Sequence, residues 1–247
     1  MAEAEKGGAD WFHLDVMDGQ FVPAKTFDHN KIKELRPLTV IPFDSHLMIS
    51  EPVKHVRDYV EAGSDIITVH AEVCDESSFG EIHDLLKQNQ VGVGLAINPD
   101  TDLPSWSYKF LPTLDQIIVM SVVPGKSGQK YIPETHEKMK QLKPILNEHN
   151  FSGYIEADGG VNLENIGSCF EDGARAFVGG SAIIGQTDVR ETIREFRNQV
   201  LKARRKILIE KAHELGNSDL VNKWIGLHVV GEKKNQIEKI AQEAGFI

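Results

Sequence analysis

Cysteine is nearly absent: Cys74 and Cys169 are the only two in 247 residues. Two thiols cannot build a disulfide framework or a four-thiolate zinc site, and their scarcity fits a reducing, cytoplasmic setting. Long hydrophobic runs are missing as well. No stretch approaches the roughly 18 apolar residues that suggest a membrane span. The polar start Met1-Ala-Glu-Ala-Glu-Lys-Gly-Gly does not read as a signal peptide. Positive charge is outweighed, with 27 Lys and Arg against 37 Asp and Glu and a net charge of -10. That balance argues against nucleic-acid binding, which needs a basic surface to neutralise phosphates. It does not exclude a small anionic substrate, because backbone N–H groups can hold a phosphate.

What is present is a recurring alternation. Apolar, Val- and Ile-rich runs at Trp11–Met17, Val40–Met48, Ile66–Glu72, Val91–Ile97, Gln116–Val122, Tyr154–Asp158 and Ala176–Ile183 read as strands. Most are nearly continuous rather than alternating, as strands buried on both faces are. Amphipathic stretches at Glu51–Ala62, Ser78–Asn89, Pro133–His149 and Asn162–Asp172 read as the intervening helices, with Ser50-Glu51-Pro52 and Asn162-Leu163-Glu164 as start signals. Gly63, Gly153 and Gly173 are expected to stop them. Strands alternating with helices predict βαβ units and a parallel sheet.

Two arrangements of such units compete. An open doubly wound sheet concentrates its chemistry at one switch point, usually with a G-x-G-x-x-G turn, and that turn is missing here. Instead, polar residues end many separate strands: His13/Asp15, His46, His70/Glu72, Asn98, Ser121, Asp158 and Ser181. Convergence of many strand ends on one site is the habit of a (β/α)8 TIM-type barrel. Because strand side chains repeat every two residues, His13 pairs with Asp15, Asp44 with His46, and Glu156 with Asp158 on common faces. Such pairs on three strands suit a divalent-metal site.

The ordered motifs are His13-Leu-Asp15-Val-Met17-Asp18-Gly19-Gln20-Phe21-Val22-Pro23, Asp44-Ser-His46-Leu-Met48, Val69-His70-Ala-Glu72, Gly94-Leu-Ala-Ile-Asn98-Pro99, Val119-Met120-Ser121-Val-Val-Pro124-Gly125, Glu156-Ala-Asp158-Gly159-Gly160-Val161 and Gly179-Gly180-Ser181-Ala-Ile183. Together, over roughly residues 9 to 200, they resemble the ribulose-phosphate 3-epimerase family, in a ribulose-phosphate-binding barrel. The resemblance implies metal-dependent interconversion of D-ribulose 5-phosphate and D-xylulose 5-phosphate, by two-base proton transfer at C3 through a cis-enediolate. It makes His13, Asp15, His46 and Asp158 the ligands of one divalent ion per subunit, with Asp15 and Asp158 as the opposed acid and base. A mixed imidazole and carboxylate set suits Zn, Fe(II), Mn or Co. A carboxylate of ordinary pKa, about 4, is a weak base for a carbon acid, and a cation that stabilises the developing enediolate compensates.

The same resemblance gives Met17, Met48 and Met120 an enediolate-shielding role, although methionines on strands are commonly core filler. It assigns substrate and phosphate contacts to His46, Gly125, Gly128, Gln129, Asp158, Gly159, Gly160, Gly179, Gly180 and Ser181, the last five belonging to the loops that bind phosphate in many barrels. The segment Pro124–Gln129 resembles a mobile lid, with Lys126 and Ser127 where the family usually has Phe and Gly. Ala24 stands where Asn is usual. A homo-oligomer in pentose phosphate metabolism is implied. The rival substrate is a ketohexose 6-phosphate such as allulose 6-phosphate, and a non-catalytic barrel used as a scaffold is the other alternative. The Asp-x-Lys-x-x-Asp strand of the related hexulose-phosphate synthase group is absent, since Met17 follows Asp15 by two.

Both ends depart from the family. The first βα unit, with its substrate-contacting serine, is missing before Trp11, which would leave a parallel barrel with two unpaired edges. Beyond a barrel domain spanning 1–200, residues 201–247 are expected to form a helical extension that packs on the barrel or completes it. Its basic run Lys202-Ala-Arg204-Arg205-Lys206 reads as a solvated helix face. Residues 224–230 read either as a strand filling the gap or as part of a capped helix beginning near Ser218.

Overall fold

The computed structural model describes residues 1–126 and 128–214. Seven strands, β1 Phe12–Met17, β2 Phe43–Met48, β3 Ile66–His70, β4 Gly92–Ile97, β5 Gln116–Met120, β6 Tyr154–Asp158 and β7 Ala176–Val178, form one sheet in sequence order. Every neighbouring pair is parallel. Helix α1 Ala2–Gly7 precedes β1; α2 His29–Leu35, α3 Pro52–Glu61, α4 Glu76–Gln88, α5 Thr135–Glu148 and α6 Ile166–Asp172 follow β1, β2, β3, β5 and β6; and α7 Gly180–Ile184 and α8 Val189–Glu214 follow β7.

Register decides which side chains share the inside. His13 lies opposite Asp44, Asp15 opposite His46 and Met17 opposite Met48. Following the ladder onward, Thr68 meets Gly94, Gly94 meets Gln116, Ile118 meets Glu156 and Met120 meets Asp158. The alternate residues, among them Leu14, Leu47, Val69, Leu95, Val119 and Ala157, pack with helix residues such as Val56, Phe79, Ile82, Leu86, Met139 and Cys169 in the main core. Both faces are therefore covered, which is why the strands read as continuous apolar runs.

The sheet is curled. Five strand spacings of about 4.8 Å would put β1 and β6 roughly 24 Å apart in a flat sheet. Yet His13 Nδ1 on β1 lies 3.1 Å from Glu156 Oε1 on β6. Among the described residues, seven parallel strands rolled so far make up seven units of a (β/α)8 barrel. Among the described residues β1 and β7 each pair on one side only. Helix α8 and the N-terminal segment are tied beside this seam: Arg190 at the start of α8 grips Glu3 of α1 at 2.7 and 3.0 Å, and Arg197 reaches Asp10 at 2.7 Å.

Several local expectations need correction. Strand β2 begins at Phe43, and Val40 is 90% exposed. Strands β3 and β5 stop at His70 and Met120, with a 3-10 turn at Ala71–Val73 after the former. The run Ala176–Ile183 splits into β7 and α7, because Gly179 and Gly180 break it. Helix α4 starts earlier than expected, capped by Asp75, whose side chain accepts the Ser78 N–H while Ser78 returns the contact. Helix α2, capped by Asp28, lacked an obvious apolar stripe. Gly63 and Gly173 do follow their helices at positive φ, but Gly153 does not stop α5; Asn150 takes the left-handed position at φ 55. Gly153 is instead required by close approach, since a Cβ there would lie 2.3 Å from the Asp115 carbonyl oxygen. Helix α8 runs unbroken through residue 200, so positions 201–214 continue it. Residues 224–230 lie outside the described residues.

Gly94 shows how tightly the interior is filled. A Cβ there would fall 1.9 Å from Thr68 Oγ1 and 2.9 Å from Gln116 Cγ. Gly94→Ala is expected to destabilise the fold by about 2–4 kcal/mol through overpacking. Urea denaturation measures it, and an unchanged midpoint contradicts the account.

Candidate active site

The inner face of β1 and β2 carries alternating chemistry from bottom to top. Four atoms, one each from His13, Asp15, His46 and Asp158, lie within 4.8 Å of one another, a spacing that can hold a metal ion. His13 Nε2 is 3.3 Å from Asp15 Oδ1 and 3.7 Å from Asp158 Oδ2. His46 Nδ1 is 3.3 Å from Asp15 Oδ1 and 3.5 Å from Asp158 Oδ2. The two carboxylates enter from strands that are not neighbours in the sheet. Their settings differ: the Asp15 side chain is 44% exposed and that of Asp158 only 8%.

Each histidine is held from behind. His13 Nδ1 lies 2.8 Å from Asp44 Oδ2, and Asp44 Oδ1 accepts from Gln116 Nε2 at 2.8 Å, which also reaches Thr68 Oγ1. His46 Nε2 lies 2.8 Å from His70 Nε2, and His70 Nδ1 lies 3.0 Å from Glu72 Oε2. Sequence reading placed Asp44 and Glu156 on the right face but missed Gln116 altogether. His70, a polar strand-end residue in the sequence, is fully buried with both ring nitrogens in hydrogen-bond contact.

The electrostatics favour a cation. Burial works against a charged His13, but Asp44, Glu156 and Asp15 outweigh it and raise its pKa well above the usual imidazole value. Burial likewise opposes a charged His46, and the hydrogen bonds that its ring donates to Asp15 and Asp158 push it up to about 9. Asp15 is held well below the ordinary carboxylate range: burial raises it, and the His13 and His46 contacts lower it more. Glu156 is pushed up to about 7 by burial and by the charge of Asp44. Both its oxygens are buried, and the His13 imidazole, 3.1 Å from Oε1, opposes the rise without cancelling it. Glu72 falls to about 2, since burial is overcome by His70 and the Asn98 N–H. Excess negative charge around two imidazoles suits a divalent ion replacing their protons.

Above the cluster, Met17 and Met48 pack with Val22, while Met120 packs with Ala96, Ile118 and Val122. The Gly19–Pro23 loop folds back because Asp18 accepts from the N–H groups of Gln20 and Phe21 and from Ser50. The register Asp158↔Val178 makes Gly159-Gly160 and Gly179-Gly180 adjacent turns. Gly160, at φ 65, could not carry a side chain, because a Cβ would lie 2.6 Å from the Tyr131 nitrogen. Gly180 and Ser181 are exposed. Gly125 is buried, Gly128 is exposed at φ 72, and Lys126 points outward. Gln129 donates to the carbonyls of Val123 at 2.6 Å and Lys126 at 2.9 Å, so it knits its own loop. Ser121 donates to the Asp158 and Gly159 carbonyls and anchors the end of β6.

Polar ligands gathered at the C-terminal ends of parallel barrel strands define the enzyme class of this architecture. Comparison with known proteins narrows it. Residues 1–184 match the model of the ribulose-phosphate 3 epimerase family, and the chain belongs to that family. It is 40% identical over 196 residues to ribulose-phosphate 3-epimerase of Bacillus subtilis, covering 79% of this chain and 89% of that one. It is 41% identical over 197 residues to the enzyme of the same name from Synechocystis sp., covering 78% and 84%. Among solved structures, 3-hexulose-6-phosphate synthase from Salmonella typhimurium aligns with a TM-score of 0.57 at 17% identity, over 77% of this chain and 98% of that chain. That likeness concerns the fold alone.

Proposed function

We propose that this chain is a carbohydrate isomerase that interconverts D-ribulose 5-phosphate and D-xylulose 5-phosphate by moving a proton at C3. The observation that carries this reading, beside family membership, is the meeting of His13, Asp15, His46 and Asp158 within 4.8 Å. These four hold one divalent ion, Zn, Fe(II), Mn or Co, which when bound lowers the cost of negative charge on the ketose oxygens. Asp15 and Asp158 take and return the proton from the two faces of C3. Ionised Asp15 is ready to accept, and the enclosure of Asp158 keeps bulk water from competing for the reacting carbon. Met17, Met48 and Met120 present soft, apolar surface to the planar intermediate.

The phosphate lies against the Gly159-Gly160 and Gly179-Gly180 turns, with Ser181 and the Gly125–Gln129 loop beside them. Adjacent turns without side chains let amides approach an anion closely. A cytoplasmic setting is supported by two unpaired thiols, and no described helix is long and apolar enough to cross a membrane. A homo-oligomer is supported by the family resemblance.

The test is an epimerase assay on the protein stripped of metal and then reloaded. Activity should fall to background after chelation, return with one of the four ions, and favour the pentulose phosphate over allulose 6-phosphate. Absence of turnover on either sugar with every ion would favour a scaffold instead.

A further inference from the structure

Which ring nitrogen each histidine offers is fixed in the structure, and the two differ. His13 turns Nε2 to the cluster and Nδ1 away toward Asp44; His46 turns Nδ1 to the cluster and Nε2 away toward His70. A nitrogen that binds a cation must present a lone pair, so the ring proton belongs on the other nitrogen. For His13 one carboxylate suffices: the Nδ1–H donates to Asp44. For His46 the neighbour is another imidazole, which either accepts or donates at Nε2.

We infer that Glu72 is a positioning residue for the cation site, acting through His70 to fix the tautomer in which His46 offers its Nδ1 lone pair. This rests on the four-residue metal site proposed above. The chain of contacts permits one consistent assignment. Ionised Glu72 can only accept, so His70 donates from Nδ1 at 3.0 Å. Its Nε2 is then a bare acceptor, 2.8 Å from His46 Nε2. His46 must therefore carry its proton on Nε2, leaving Nδ1 free. Both rings are fully buried, and the Phe21 ring lies over His70 at 4.6 Å between centroids. Glu72 is fixed in turn by the Asn98 N–H at 2.7 Å, and its side chain is 19% exposed. Without the carboxylate, His70 is free to place its proton on Nε2. Two N–H groups would then face each other, driving the His46 proton onto the nitrogen the cation needs.

The experiment is a double-mutant cycle on the full chain, read as the Mn(II) dissociation constant by chelator competition. Glu72→Leu should weaken binding about tenfold to a hundredfold, the usual effect of losing a group that orients a metal-binding histidine. In a His70→Gln background, where an amide carbonyl can accept from His46 unaided, Glu72→Leu should cost less than twofold more. Equal losses in both backgrounds would mean that Glu72 merely supports the loop, and overturn the proposal. Unchanged affinity in Glu72→Leu while His46→Ala abolishes binding overturns the positioning role alone. Unchanged affinity in both overturns the four-residue site with it. A variant-free check is the nitrogen-15 spectrum of the zinc-loaded protein: His70 should carry its proton on Nδ1 and His46 on Nε2. A proton on His70 Nε2 overturns the assignment even if no variant folds.

Discussion

In Asp15→Asn and in Asp158→Asn, epimerisation should fall by at least about a thousandfold, a loss within the range set by removing a positioned acid or base. The two variants should also differ from each other in one respect. If each carboxylate serves one face of C3, the group that remains can still remove and return a proton on its own face. Solvent deuterium then enters one epimer without inversion in Asp15→Asn, and the opposite epimer in Asp158→Asn. Because both carboxylates also face the two histidines, at 3.3 to 3.7 Å, the assays belong at saturating metal. Measuring deuterium in recovered ribulose and xylulose phosphates separates the outcomes. Wash-in to the same epimer in both variants would show that the carboxylates act from one side, and the two-face mechanism would be lost.

Much of this site was readable in the sequence because a strand writes its inner face at every second position. His13, Asp15 and Met17 form one such line, and the parallel register copies it directly onto Asp44, His46 and Met48. Strand existence was readable for a related reason: residues such as Leu47, Val69 and Leu95 are buried under helices while their neighbours fill the inside. Relations between distant strands were harder. Gln116 holds Asp44 across 72 residues, and nothing local to either residue announces it. His70 and Glu72 are visible as polar residues at one strand end, but their bearing on His46 depends on ring orientation, which composition does not encode. The strand expected through Ile183 failed because apolar content continues past β7 while Gly179-Gly180 ends the extended backbone. Gly153 misled in the opposite way, being needed for its closeness to Asp115 rather than for a helix stop.

A second large effect concerns pH and the cation together. Without metal, His46 titrates near 9 in the fold and near 6.5 when unfolded. A raised folded pKa means that the native state binds the proton more tightly. The stability this supplies is complete below about 6.5 and is lost as pH rises through about 9, a difference on the order of 3 kcal/mol. Glu156, raised to about 7, acts in the same direction, its native state gaining on the unfolded one as pH falls from about 7 to its ordinary value near 4.5. Through these groups, metal-free protein should weaken steadily from mildly acidic to alkaline pH. A cation needs bare ring nitrogens on His13 and His46, so its affinity should climb over the same interval. With two protons displaced, affinity approaches a hundredfold gain per pH step, or about 2.7 kcal/mol of added stability at fixed free metal. Thermal unfolding with and without Mn(II) between pH 6 and 9 should show the metal-induced rise in Tm growing with pH in the native chain and vanishing in His46→Ala. A rise that is flat across that range would mean the ion binds somewhere other than at these two imidazoles.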